Sequence, residues 1–210
     1  MKVLVIGAGN MGSAFVKQLS RAGHQVSVTA RHSAKAAEVA AANPGSKAVA
    51  TANAAADADA IVLATGYADA VDALQSVGDL EGKVVIDITN PLTADYMGLT
   101  IGHTTSAGKE IAKAVAGAEV VKAFNTLFAP VLSEGADFGA GRKATVFYAG
   151  DSERAKQTAR ALAESMGFET IDAGALKNAR YLESLAGLNI YLGYGAGLGT
   201  GIAPTWLRKA

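Results

Sequence analysis

Lys2-Val3-Leu4-Val5-Ile6-Gly7-Ala8-Gly9-Asn10-Met11-Gly12 is the stretch on which the fold turns. The apolar run Val3–Ile6 predicts a short buried strand. Gly7, Gly9 and Gly12 follow it, and a helical pattern opens at Met11. Met11, Phe15, Leu19 and Ala22 recur on one stripe, and Gly23 supplies a stop. A strand, a glycine turn and a helix in that order aim the free N–H groups of a helix start at an anion. Gly7 permits the tight turn. Gly9 lets the backbone approach phosphate with no side chain in the way, and Gly12 lets the helix lie close to the strand. The spacing predicts a dinucleotide pyrophosphate site made by Gly7, Gly9, Asn10, Met11 and Gly12.

Outward from this unit, apolar runs and helical patterns alternate almost to the end of the chain. Strands are expected at Lys2–Ile6, Gln25–Thr29, Lys47–Ala50, Ala60–Ala64, Lys83–Ile88, Val120–Phe124, Ala144–Ala149 and Glu169–Ile171. Helices are expected at Met11–Ala22, Ser33–Ala42, Tyr67–Val77, Ser106–Ala116, Ser152–Met166 and Leu176–Leu192. This alternation predicts an α/β fold, a doubly wound and mostly parallel sheet of Rossmann type. Residues 1–210 are expected to form a single domain, with 175–210 as a C-terminal helix and glycine-rich tail and no separate substrate domain.

The 19 Lys and Arg balance the 19 Asp and Glu, which gives no support for a nucleic-acid or polybasic membrane partner. The absence of cysteine removes disulfides, thiolate catalysis and cysteine-ligated metal. His24, His32 and His103 lack metal-ligand spacing, so no metal site is expected. No secretory signal is visible, nor any run near the roughly 20 apolar residues of a membrane span. A cytoplasmic protein is the expectation.

The second strand ends at Thr29-Ala30-Arg31-His32-Ser33-Ala34-Lys35. NAD-binding folds usually place a carboxylate here for the ribose hydroxyls, and this loop has none. A 2′-phosphate would be held by Arg31, Ser33 and Lys35, with His32 beside them, which argues for NADP(H). Ser33 is also the expected N-cap of the second helix. Three later strand ends look prepared for the ring end of such a nucleotide: Ala64-Thr65-Gly66, Asn90-Pro91 and Asn125. Thr65, Asn90 and Asn125 are the candidates for orienting the ring. No compact catalytic constellation is evident. That favours hydride transfer between two redox cofactors, in which the protein supplies alignment rather than a catalytic side chain.

The glycine turn, Ala30–Ala36 and the late block Asp172-Ala173-Gly174-Ala175-Leu176-Lys177-Asn178-Ala179-Arg180-Tyr181-Leu182-Glu183-Ser184-Leu185 carry a resemblance. The chain resembles the coenzyme F-420 (F420)-dependent NADP oxidoreductases, small proteins that pass hydride between NADPH and a deazaflavin. Val121-Lys122-Ala123-Phe124-Asn125-Thr126 also looks like the oxidoreductase domain of membrane metalloreductases, without their membrane helices. The resemblance implies NADP(H) on the glycine turn, with Arg31 and Lys35 near the 2′-phosphate. It also implies coenzyme F-420 or a flavin as second redox substrate, and homodimers built partly from C-terminal helices. The chain departs from the family pattern at Ala30, His32, Gly66-Tyr67 and Thr89-Asn90-Pro91, which leaves the acceptor open. Two other readings stand beside this one. One is a non-enzymatic NADPH sensor or regulatory subunit. The other is a reductase of a small carbonyl or imine, since the first twelve residues also look like pyrroline-carboxylate reductase. The glycine-rich run Gly193–Gly201 reads either as a flap over the second substrate or as a tail packed on the core or on a partner subunit.

Overall fold

Strand alternation sorts the apolar residues of β1 (Lys2–Ile6) to two faces. Val3 and Val5 enter one core, and Leu4 and Ile6 enter the other. A strand buried on both faces needs helices on both sides. The computed structural model, which describes residues 1–207 and 209, supplies them. The chain continues through α1 (Asn10–Arg21), β2 (Gln25–Thr29), α2 (Ser33–Ala41), β3 (Ser46–Ala48), β4 (Ala60–Leu63) and α3 (Ala70–Gln75). It then forms β5 (Val84–Asp87), α4 (Ala107–Ala114), β6 (Glu119–Ala123), α5 (Ala129–Glu134) and β7 (Thr145–Gly150). It ends with α6 (Glu153–Ser165), β8 (Glu169–Asp172) and α7 (Ala179–Ile190). Phe15 and Leu19 of α1, Leu132 of α5 and Leu162 of α6 fill the first core. Leu74 of α3 and Ile111 of α4 fill the second.

The eight strands form one sheet in the order β3-β2-β1-β4-β5-β6-β7-β8. This is the doubly wound, mostly parallel architecture expected. The order reverses between β1 and β4, which opens a crevice beyond their carboxyl ends. One pairing departs from the parallel rule. β7 runs antiparallel to β6, and β8 then pairs parallel to β7.

Helix α5 was not expected. Pro130 resembles a helix breaker in sequence, but it sits in the first turn, where its missing N–H removes no helical bond. The helix expected at Tyr67–Val77 is split into a 3-10 turn at Tyr67–Asp69 and the short α3. The one expected at Leu176–Leu192 becomes a 3-10 turn at Leu176–Asn178, then α7, then a π-turn at Tyr191–Gly195. Tyr194 of this turn meets the Phe128 ring edge-on at 5.6 Å. Beyond it the chain runs back over the fold, where Ile202 and Ala203 lie on the first core and Trp206 meets Phe147 at 5.0 Å. Among the described residues no helix is long and apolar enough to cross a membrane.

Candidate functional site

Gly7 turns the chain at φ 117°, a backbone region that side-chain-bearing residues avoid. Its N–H donates to the Thr29 carbonyl at 2.8 Å, and a Cβ there would lie 2.3 Å from the Ala64 carbonyl oxygen. Gly12 is needed for a different contact from the one expected. A Cβ at Gly12 would lie 2.0 Å from the Gly7 carbonyl oxygen, so the helix closes on the turn itself rather than on the strand. Gly9 occupies the N-cap position of α1 and would meet nothing within 4 Å. No side chain caps this helix start, and its first turn carries no acid. The donors at the α1 N-terminus are thus free toward open space, which is a cradle that fits a phosphate. Asn10 is exposed there, and Met11 is half-buried against the core.

A cleft of about 540 Å³ opens beside this turn. Its floor includes Ile6, Thr29, Ala30 and Ala64. Arg31, His32 and Lys35 stand on one wall. The opposite wall, formed after β4, carries Asp69, Asp72, Ala73 and Ser76. The loop after β2 contains no acid, but the fold brings one to it. Arg31 Nη2 lies 3.6 Å from Asp69 Oδ2, with both side chains largely exposed. Ser33 is not an N-cap. His32 takes that position in extended backbone, and Ser33 is the first helical residue and does not line the cleft. Ala64, Thr65 and Gly66 do line it, and the Thr65 hydroxyl donates to the Gly66 carbonyl at 3.2 Å.

Asn90, Pro91 and Asn125 stand apart from this cleft, past the ends of β5 and β6, and the two asparagines are joined. Asn90 Nδ2 donates to the Asn125 carbonyl at 2.9 Å, and Asn125 Nδ2 donates to Asn90 Oδ1 at 2.9 Å. Asn125 Nδ2 also reaches the Leu182 carbonyl of α7 at 3.0 Å. The residue before it, Phe124, is not the end of a strand but a turn residue at φ 61°. Its ring packs edge-on against Phe15 at 5.0 Å, which holds this unusual backbone in place. Buried Asn125 Oδ1, Thr89 Oγ1 and Thr126 Oγ1 have no hydrogen-bond partner, so this corner retains unused polar capacity.

A buried charge cluster under these turns was missed in the sequence reading. Lys122 Nζ lies 2.7 Å from Asp87 Oδ2 and 3.0 Å from Glu183 Oε1, and all three side chains are fully buried. The ammonium donates to the Thr89 carbonyl at 2.6 Å, and Asp87 Oδ1 accepts from the Thr89 N–H at 2.8 Å. Glu183 accepts from the Ala107 and Gly108 N–H groups at 2.9 and 3.0 Å, where the α4 dipole offsets the second negative charge. The signal was present: Asp87 and Lys122 each interrupt an apolar strand, and parallel register places them opposite one another. Tyr67 lies near this cluster. Burial raises its pKa, and the carboxylates of Glu110 and Glu183 raise it further, so it stays a neutral phenol.

The profile of a family described as "NADP oxidoreductase coenzyme F420-dependent" matches residues 2–91. A solved structure of a candidate F420-dependent NADP-reductase from Arthrobacter sp. FB24 is 30% identical, with a TM-score of 0.86 over 99% of this chain and 100% of that one. This chain belongs to the coenzyme F420-dependent NADP oxidoreductase family. By its description the family is one of NADP-dependent oxidoreductases. The family fold extends to a hypothetical protein of Sinorhizobium meliloti, 30% identical with a TM-score of 0.76 over 85% of this chain and 87% of that one. The rat metalloreductase STEAP3 is 28% identical over 185 residues, which is 88% of this chain. The chain spans only 36% of that relative's length.

Proposed function

We propose that the protein transfers hydride directly between NADP(H) and a flavin- or deazaflavin-like acceptor such as coenzyme F-420, working as a homodimer. The observation that carries the nucleotide half is the cleft at the β1–β4 reversal, with free α1 donors at one end and Arg31, His32 and Lys35 on one wall. In this reading Gly7, Gly9, Asn10, Met11 and Gly12 shape the pyrophosphate cradle. Arg31 and Lys35 hold the 2′-phosphate, and Ala64, Thr65 and Gly66 line the path toward the ring. Asn90, Pro91 and Asn125 orient the ring end. The bound cofactor supplies the hydride itself. No side chain is assigned a proton, and the protein's contribution is alignment and exclusion of water.

The acceptor screen tests this reading. NADPH is mixed with a reducible deazaflavin, flavin mononucleotide, a ferric chelate, or a small carbonyl or imine, and loss of reduced-nicotinamide absorbance is followed. Turnover with a ring acceptor supports it. Tight NADPH binding with no turnover on any acceptor favours a sensor or regulatory subunit instead. Turnover only with small carbonyls or imines favours the third reading.

A further inference from the structure

We propose that Asp72 reads the base of the bound nucleotide, its carboxylate accepting a hydrogen bond from the 6-amino group of adenine. This rests on the nucleotide reading above. The cleft has walls of opposite sign, with Arg31, His32 and Lys35 facing Asp69 and Asp72. Asp69 already has a cationic partner in Arg31. Asp72 lies one helical turn further along α3 and is exposed. Among the described residues it has no ion-pair partner, and its side chain makes no hydrogen bond. Its neighbours on that wall offer it no donor. Ala73 is apolar, and the Ser76 hydroxyl is spent on the Ala73 carbonyl at 2.8 Å.

A free carboxylate in a cleft for a polyanion repels its ligand unless it faces a donor. A dinucleotide has few donors at its purine end. The ribose hydroxyls belong beside the β2 loop, where Arg31 and Lys35 stand, which leaves the exocyclic amine for the far wall. A 6-amino purine places N–H groups there. A 6-oxo purine places a carbonyl oxygen there and carries its remaining donor one ring position away, at N1–H, so in the same pose two acceptors meet. Asp72 therefore makes the cleft selective for adenine over hypoxanthine, just as Arg31 makes it selective for the 2′-phosphate.

The test is equilibrium binding of NADPH and of its 6-oxo analogue, reduced nicotinamide hypoxanthine dinucleotide phosphate, followed by nicotinamide fluorescence. The wild type is expected to bind NADPH about tenfold more tightly than the analogue, as fits a hydrogen bond to a charged group. Asp72→Asn is expected to bring the ratio within about twofold, because an amide turns either its oxygen or its NH₂ toward the base. Circular dichroism checks that the variant is folded, and Asp72→Ser repeats the comparison if it is not. Two results overturn the proposal: equal binding of both nucleotides by the wild type, or an unchanged ratio in the variant, whether or not both bind more weakly. Failure of the wild type to bind either nucleotide overturns the nucleotide reading as well, and binding with an unchanged ratio overturns the base-reading role alone.

Discussion

At Arg31 one side chain has two suitors. Asp69 holds it at 3.6 Å, but both groups are largely exposed, and such a pair contributes at most about 1 kcal/mol. A 2′-phosphate offers the guanidinium a charge-assisted pair worth about 1.5–3 kcal/mol, and its fork of N–H groups lets Arg31 take the phosphate while Nη2 keeps Asp69. Arg31→Ala is therefore expected to weaken NADPH binding about tenfold or more and NADH binding less than about twofold. Thermal stability should be almost unchanged. A parallel titration with the two nucleotides checks this, and equal losses would remove the phosphate assignment. Gly12 behaves in the opposite way, since a Cβ there collides with backbone rather than with a flexible side chain. Gly12→Ala should cost about 1–3 kcal/mol and lower the melting temperature by roughly 2–12 °C, with loss of NADPH binding. The glycine turn and the cationic loop were legible because their chemistry is local. Asp69 and Asp72 were not, because they reach the cleft from a segment some forty residues away.

Elements meet at the buried cluster. Asp87 belongs to β5, Lys122 to β6 and Glu183 to α7, and the α4 N-terminus closes the ring. Replacing Lys122 by Met leaves two buried carboxylates without a counter-charge, at a cost of about 3–5 kcal/mol. The melting temperature should fall by roughly 6–20 °C. Adding Asp87→Asn and Glu183→Gln should recover part of that loss, whereas a further drop would show that the ammonium acts through packing alone. A second tie joins β6 to α6. Glu119 accepts from Arg154 Nη2 at 2.7 Å and from the hydroxyl of Ser152, the α6 N-cap. The Arg154 hydrogen bond is the main cause that lowers the Glu119 pKa, with Ser152 next. A depressed folded pKa means the stabilisation is full above the ordinary glutamate pKa of about 4.3 and is lost as pH falls through the folded value. Urea midpoints of wild type and Glu119→Gln should therefore differ at pH 7 and draw together as pH falls below about 4.3. A gap that widens on acidification would assign the tie some other origin. Strands and long helices were legible because their apolar periods match burial on two faces. Helix α5 was not, since six residues with a proline in the first turn carry too little period to read.

Across the whole molecule, the sheet changes direction once, at β6–β7, and that change was not legible. Nothing in Thr145–Gly150 distinguishes it, because a fully buried strand reads the same in either direction. Helix α7 packs against these late strands. Leu182 and Leu185 are turned inward there, against Phe147 and Ala149. Tyr181, Leu188 and Tyr191 point the other way and are each more than half exposed. They recur at i, i+7 and i+10, so they share one helical face. Tyr194 and Leu198 of the following turn, and Tyr96 of the β5–α4 loop, are exposed as well. Surface apolar residues scattered singly need no partner, but aligned aromatic and leucine side chains on one helix form a patch of the kind that subunits cover. A twofold interface on this face would also shelter the turn that packs on Phe128, next to the Asn90–Asn125 corner. Leu188→Glu places a charge in the middle of the stripe without touching the core. Light scattering should show a dimer for the wild type and a monomer for the variant, with NADPH binding retained by both because the proposed nucleotide cleft lies at the β1–β4 crevice. A monomeric wild type would leave the stripe without this role. A dimeric Leu188→Glu would move the interface to another surface.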